Sequence, residues 1–482
     1  MYLVSFLSLF AITCVFLSSR RPLWNDEIYT FFVAGQPTAG GILRILMDRA
    51  DNQPPLYPLL VHVLLPVLGS RELAVRLPTV AGFCLMCWSI FEFTRRRLPR
   101  AYAAAAMMIA CVACFHFATE GRPYGLNLGC SGLALVCWQR AAESRPRAAA
   151  LTGLFLSLNL AVALHYFFIF LLAPLMVGEL VRAVRSGKAD WPMWAVLFSP
   201  LLVLAAHLPL ISRVTPSPLA ESRLTRIGEG YSYLFPRPIN LRVLIVIPVL
   251  AAYAAWKLAP RRRERPDAFP LHEWLAISSL ALLPVGIVIV TVLSHSMFFP
   301  RYSLVANIGC AILAAAVVFR VFRGSKPAVI GFLVLLFALL CARVTQGFLA
   351  GDNLRFATEL RRELTKIPGN SQPVVVVDPA SFTELALYPG RGLKGQIVFA
   401  LDAEQERRSN GSYADALSLA VLRRGSPLRV VDYGTDFLAA YPHFLLAASP
   451  RHWIVRSLKE SGYSLRPLAA GSVSLFQADA GK

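Results

Sequence analysis

Hydrophobic residues run in long blocks through the first three quarters of the chain and then give way to short alternating stretches. A helix needs about 17–25 apolar residues to cross the roughly 30 Å hydrocarbon core of a bilayer. Blocks of that order lie at about 2–19, 74–94, 101–118, 124–140, 148–164, 166–181, 192–212, 240–258, 274–293, 302–319 and 328–346. The pattern predicts a mainly α fold, a polytopic membrane-helix domain over 1–349 with about eleven spans. The segment from about 20 to 73 is too long for a turn. Its apolar pieces, Ile28–Val33 and Leu56–Leu68, are too short to span and read as interfacial helices, the second entered through Pro54 and Pro55.

After about residue 350 the texture becomes mixed. Pro373–Val377, Gln396–Phe399, Leu428–Val431, His443–Ala447 and Ser472–Phe476 read as strands, and Asn353–Lys366, Ala414–Leu422 and Arg451–Ser461 as helices. This alternation predicts a small soluble α/β domain over 350–482, with no Gly-rich phosphate loop.

Composition agrees with a membrane protein: 56% of residues are hydrophobic and 16% charged, where a soluble chain carries about a quarter. The net charge of +20 falls largely in short loops holding Arg95–Arg97, Arg140–Arg147, Arg182–Lys188, Lys257–Arg265 and Arg320–Lys326. Such loops belong in the cytoplasm. That places the Asp26 loop, the turns at Arg122 and Arg301 and the C-terminal domain outside, in a multi-pass protein of the plasma (inner) membrane. Arg20 and Arg21 run against this orientation and are outnumbered. No nucleic-acid motif accompanies the positive charge. The first span lacks the basic start and small-residue cleavage site of a signal peptide. Cys84-x-x-Cys87 and Cys111-x-x-Cys114 have zinc-like spacing but sit in apolar blocks, where cysteine acts as a small hydrophobe.

Candidate chemistry centres on Trp24-Asn-Asp-Glu-Ile-Tyr29, which sets Asp26 and Glu27 at the mouth of a helix. A carboxylate beside hydrocarbon is costly unless it is solvated, paired or in a polar cavity. The plainer role for both is capping an interfacial helix. Arg122 with Tyr124, and Arg301 with Tyr302, lie at the outer ends of helices, and Arg76 follows the interfacial segment. Each arginine is suited either to forked contact with phosphate or to headgroup snorkelling. His165 and Tyr166 stand where an aromatic belt or a substrate contact would be.

Five pieces in order, WNDEIY from Trp24, DNQPPLYPLLVH from Asp51, ELAVRLPTVAG from Glu72, EGRPYGLNL from Glu120 and HYFFIFLL from His165, together with PRYSLVA from Pro300, carry a family resemblance. The chain resembles GT-C-fold glycosyltransferases of the protein O-mannosyltransferase and aminoarabinose-transferase type. The resemblance implies transfer of a sugar from a polyprenyl-phosphate donor, with inversion, to an extracytoplasmic glycan, lipid or protein acceptor. It implies Asp26 as general base with Glu27 beside it, and Arg122, Arg301, Tyr124, Tyr302 and Arg76 at the donor phosphate. Asn52, Gln53, Tyr57, His165 and Tyr166 would line the substrate pocket. Relatives often carry a basic residue or histidine just before the Pro-Pro pair, whereas this chain has Gln53. With no metal-spaced cluster either, no cofactor is required, and a divalent metal, for which Asp48 and Asp51 could supply oxygen ligands, is left open without support from the sequence. The competing class is a lipid-carrier or solute transporter without bond-making chemistry. It would show discontinuous helices in related halves, and no such repeat is evident.

Overall fold

The computed structural model describes residues 2–143, 146–213, 223–234, 269–322, 324–349, 354, 357–367, 371–390, 393, 395–410, 414–469 and 474–481. Its backbone divides into two compact units. One comprises Met1–Ser19, Arg76–Leu208 and Ala220–Leu349; the other comprises Arg20–Val75, Pro209–Leu219 and Ala350–Lys482.

The first unit is helical. Among the described residues, six helices are long and apolar enough to cross a membrane: Tyr2–Arg20, Arg71–Thr94, Arg100–Ala118, Arg147–Leu164, Tyr166–Ser186 and Lys326–Leu349. A seventh candidate is the pair Leu271–Ala281 and Leu283–Leu293, bent by 54°. Pro284, which has no N–H to donate, opens its second half. The expected span at 240–258 lies outside the described residues. Three other expected spans take different forms. The 124–140 block is helix Tyr124–Glu143, carrying buried Asn127, Ser131 and Gln139. The 192–212 block is broken into Trp191–Phe198, Pro200–Ala206 and Leu208–Ile211, and the 302–319 block is the 16-residue helix Ala306–Val321.

Two helices of this unit touch backbone to backbone. A Cβ at Gly82 would collide with the Leu126 backbone, and one at Gly129 with the carbonyl of Gly82. Helices Arg71–Thr94 and Tyr124–Glu143 approach this closely only because glycine occupies both sides. At one end of the unit the basic loop residues meet buried acids. Arg97 Nε donates to Glu273 at 2.9 Å, Arg140 Nη2 to Glu92 at 2.8 Å, and Gln139 to Glu273 at 3.2 Å. All nine cysteines are unbonded, most of them buried in helices.

The second unit is built on a six-stranded sheet. Its strands are β1 Val374–Val376, β2 Ile397–Leu401, β3 Val430–Asp432, β4 His443–Ala448, β5 Tyr463–Ala469 and β6 Ser474–Ala480, in spatial order β3-β2-β1-β4-β6-β5. The first four are parallel, with Val375 opposite both Val398 and Leu446; β6 and β5 close the sheet antiparallel. Parallel strands are covered on both faces and so read as continuous apolar runs. β1 and β2 are buried along their whole length. Phe437, Phe444, Leu446, Ile454 and Leu458 form much of the core.

The segment Arg20–Val75 belongs to this unit and folds as helices Asn25–Ala34, Ala39–Met47 and Leu56–Leu68. It is tied to the sheet region at several points. Tyr388 Oη accepts from Leu23 N at 2.8 Å and donates to Glu72 at 2.7 Å, while the Arg71 guanidinium lies 4.6 Å from the Tyr388 ring. Thr383 Oγ1 donates to Asn25 at 3.4 Å, Gln36 Nε2 to the Gly425 carbonyl at 3.2 Å, and Ser418 Oγ to the Arg49 carbonyl at 3.2 Å. Arg49 itself has φ 73°, a left-handed conformation costly for a residue with a side chain.

Candidate functional site

In the first unit the turn Glu120–Tyr124 carries the candidate phosphate group. Thr79 holds it in place: its hydroxyl donates to the Arg122 carbonyl at 3.1 Å and accepts from Gly125 N at 3.1 Å. Arg122 N donates to the Glu120 carbonyl at 2.8 Å, tightening the turn ahead of Pro123. Arg301 reaches the same group from the short 3-10 turn Pro300–Ser303, its guanidinium 5.8 Å from the Tyr124 ring and 4.8 Å from the Phe299 ring. The Tyr302 ring stacks on Phe167 at 4.0 Å and lies 5.2 Å from His165, which in turn lies 5.5 Å from Tyr124. Arg122, Tyr124, His165, Arg301 and Tyr302 therefore form one cation–aromatic group.

Two groups missed in the sequence complete it. Glu120 is 5% exposed and meets His116 Nε2 at 3.0 Å. Burial by itself would raise the Glu120 pKa, but His116, then Arg301 and Arg122, hold it below the usual carboxylate range. His165 is pushed down to about 3 by burial first, then by Arg301 and Arg122. It is therefore a neutral imidazole, able to hydrogen-bond without adding charge. Next to this group a cavity of about 460 Å³ is lined by His116, Glu229, Ser232, Tyr233, Pro300 and Arg343 among others. Tyr233 packs edge-on against Phe117 at 4.9 Å, and burial, then Glu120, pushes its phenol up to about 12. Glu120 lies inside the EGRPYGLNL stretch and was open to inspection; nothing in the sequence pointed to His116, Tyr233 or Arg343. Arg76 is 1% exposed and donates to the Ser18 carbonyl at 2.7 Å, and Tyr166 packs against His207 at 5.7 Å.

In the second unit Glu27 and Asp26 differ in burial and contacts. Glu27 is fully buried and accepts from Trp24 N at 3.1 Å, closing the first turn of helix Asn25–Ala34 as a cap does. Asp26, one residue earlier, keeps solvent access. Gln53 is buried; its Nε2 donates to Asp51 at 2.8 Å and to Thr30 Oγ1 at 3.2 Å, and Thr30 Oγ1 donates to the Asp26 carbonyl at 3.2 Å. Asn52 is exposed. Tyr57 is fully buried with its hydroxyl donating to the Val75 carbonyl at 2.8 Å. Asp378 and Asp415, from the C-terminal part of this unit, join Asp26 and Asp51 in one electrostatic neighbourhood. Among the described residues no three His, Cys, Asp or Glu side chains are placed to share a metal ion.

Residues 52–211 match the family model described as dolichyl-phosphate-mannose-protein mannosyltransferase. No curated protein matches the chain. Among solved structures the whole chain is similar to ArnT from Cupriavidus metallidurans in the apo state. The TM-score is 0.60 at 12% identity, covering 100% of this chain and 99% of that one. The same protein bound to undecaprenyl phosphate gives a TM-score of 0.57, again at 12% identity with 100% and 99% covered. The fold is thus ArnT-like, of the GT-C type, as the motifs led us to expect.

Proposed function

We propose that the protein is an integral-membrane glycosyltransferase that moves a sugar from a polyprenyl-phosphate-linked donor to an acceptor outside the cytoplasm, inverting the anomeric centre. The observation that carries this reading is the group of Arg122, Arg301, Tyr124, Tyr302 and neutral His165, in which Arg122 and Tyr124 are buried and the other three partly so. A guanidinium held over aromatic rings, that of Arg301, with Arg122 in the same electrostatic neighbourhood, suits a lipid phosphate, whose oxygens guanidiniums contact in forked pairs. The ArnT structure with undecaprenyl phosphate and the mannosyltransferase match over 52–211 support the donor class.

Chemically, the acceptor oxygen forms a bond to the anomeric carbon as the bond from that carbon to the phosphate oxygen breaks. The phosphate leaves with the electron pair, and the arginines offset its added charge. A carboxylate takes the acceptor's proton. Asp26 is the proposed base, being the solvent-accessible member of the acidic pair, while Glu27 is committed to the helix cap. Arg76 and Tyr57, committed to backbone carbonyls, become supports of the scaffold.

The test is transfer from labelled undecaprenyl-phosphate sugars into membrane extracts, comparing wild type with Asp26→Asn. The expected result is transfer by wild type and a loss of at least 100-fold in the variant, with folding and donor binding retained. Equal transfer by both proteins would remove Asp26 from the chemistry, and binding of donor without any transfer would favour a carrier.

A further inference from the structure

We propose that an anionic phospholipid occupies a cavity of about 680 Å³ in the helical unit, its phosphate held by Arg100 and Arg95 and an acyl chain lying between three helices. The site stands at the opposite end of helix Arg100–Cys114 from the turn that carries Arg122, and it does not depend on the transferase reading.

The need for an occupant begins in the sequence of helix Tyr2–Arg20. Leu3, Phe6, Phe10, Cys14 and Leu17 recur at spacings of three or four and so share one face. The protein covers only the later part of that stripe. Phe10, Cys14 and Leu17 are buried, with Phe10 stacked on Phe83 at 5.6 Å and edge-on to Phe115 at 6.2 Å. From Tyr2 to Leu9 no side chain is buried, and Leu3 and Phe6 face the cavity. Helix Arg100–Cys114 supplies a second wall, where Ala101 and Ala104 leave room and Met107 and Met108 line the deep end. Leu333 and Phe337, one turn apart on helix Lys326–Leu349, form the third.

Depth and charge identify the occupant. From Arg100 to Met108 the helix rises about 12 Å, close to half of the roughly 30 Å hydrocarbon core, so the slot is about one leaflet deep. Tyr2 and Phe337 on its margin are exposed, which opens it sideways toward lipid. Among the described residues, the charged groups of its lining are Arg95 and Arg100. Arg100 is exposed and, among the described residues, has no acidic partner. Glu92 meets Arg95 Nε at 2.5 Å, Arg140 at 2.8 Å and Arg96 at 3.8 Å, so one carboxylate is divided among three guanidiniums and positive charge is left at the rim. Phosphate oxygens suit guanidiniums in forked pairs. A headgroup ammonium would meet the same arginines as a like charge, so the rim selects a headgroup of net negative charge. The bound chain would also brace helices Tyr2–Arg20 and Lys326–Leu349, the least buried of the described spans.

The experiment titrates the delipidated full-length protein in detergent with palmitoyl-oleoyl phosphatidylglycerol or phosphatidylcholine and follows bound lipid by native mass spectrometry. Wild type is compared with Arg100→Gln and with Ala104→Phe, which fills the slot without altering charge. The control is Arg185→Gln, at an exposed arginine in the last turn of another helix. Wild type should hold its first phosphatidylglycerol at least about fivefold more tightly than phosphatidylcholine. Arg100→Gln should bring that preference within about twofold, Ala104→Phe should weaken both lipids at least about fivefold, and Arg185→Gln should match wild type. Equal binding of the two lipids by wild type overturns the proposal. So does an equal loss in Arg100→Gln and Arg185→Gln, which would mean diffuse attraction to the basic loops. Unchanged tight binding in Ala104→Phe would place the lipid outside the slot and overturn it as well. Should Ala104→Phe fail to fold, the comparison of Arg100→Gln with Arg185→Gln decides by itself.

Discussion

Tyr388→Phe removes one oxygen and leaves the ring in place, so it isolates the tie between the Asp26 segment and the C-terminal domain. That oxygen accepts from Leu23 N and donates to Glu72, while the Arg71 guanidinium packs on the ring that remains. Losing a hydrogen bond to a carboxylate costs about 1.5–3 kcal/mol, and stranding a buried N–H about 1 kcal/mol more. Solvent reaching Glu72 recovers part of this, leaving an expected loss of about 2–4 kcal/mol. If the segment opens from the sheet as a local unit, its open population rises by roughly 30- to 700-fold. Native-state proteolysis that samples this opening reads the change directly, as faster cleavage within 20–75 at unchanged cleavage elsewhere. Sugar transfer should fall with it, since Asp26 follows Leu23 by three residues. Cleavage rates within twofold of wild type would refute the reasoning and show that the remaining ties hold the segment without Tyr388.

Other perturbations follow from the same geometry. Gly129→Ala drives a Cβ into the Gly82 carbonyl, forcing two helices apart, and should lower the apparent unfolding temperature in detergent by more than Ala substitution at Gly286, where a Cβ meets nothing. Glu120→Gln should cost about 1–3 kcal/mol at pH 7 by removing the charge of the buried carboxylate that faces half-exposed His116, Arg301 and Arg122. Because the folded Glu120 pKa is depressed, that stabilisation is fully present above the unfolded value of about 4.3 and is lost as pH falls through the folded one. The gap between wild type and Glu120→Gln in thermal unfolding should therefore close on acidification below about pH 4. A gap that widens there would reverse the assignment.

Where residues act through their immediate neighbours, the sequence was sufficient. Blocks such as 74–94, 148–164 and 328–346 match helices to within a few residues, since length and hydropathy decide whether a helix can sit in lipid. The Val374–Val376 strand and the Leu56–Leu68 helix were readable for the same local reason. β5 was missed because it is an edge strand, largely exposed and containing Pro467, and so shows neither an apolar run nor clean alternation. Both Asp26 and Glu27 suit the first turn of a helix in the sequence; the contact from Trp24 N to Glu27 became visible only in the fold. The partnership of Glu120 with His116 and Arg301, and of Asp26 and Asp51 with Asp378 and Asp415, had no sequence signal at all. Periodicity reports which face of an element is apolar, not which distant element will cover it. Polar groups more than three hundred residues apart become neighbours only when the sheet and helices that carry them have packed.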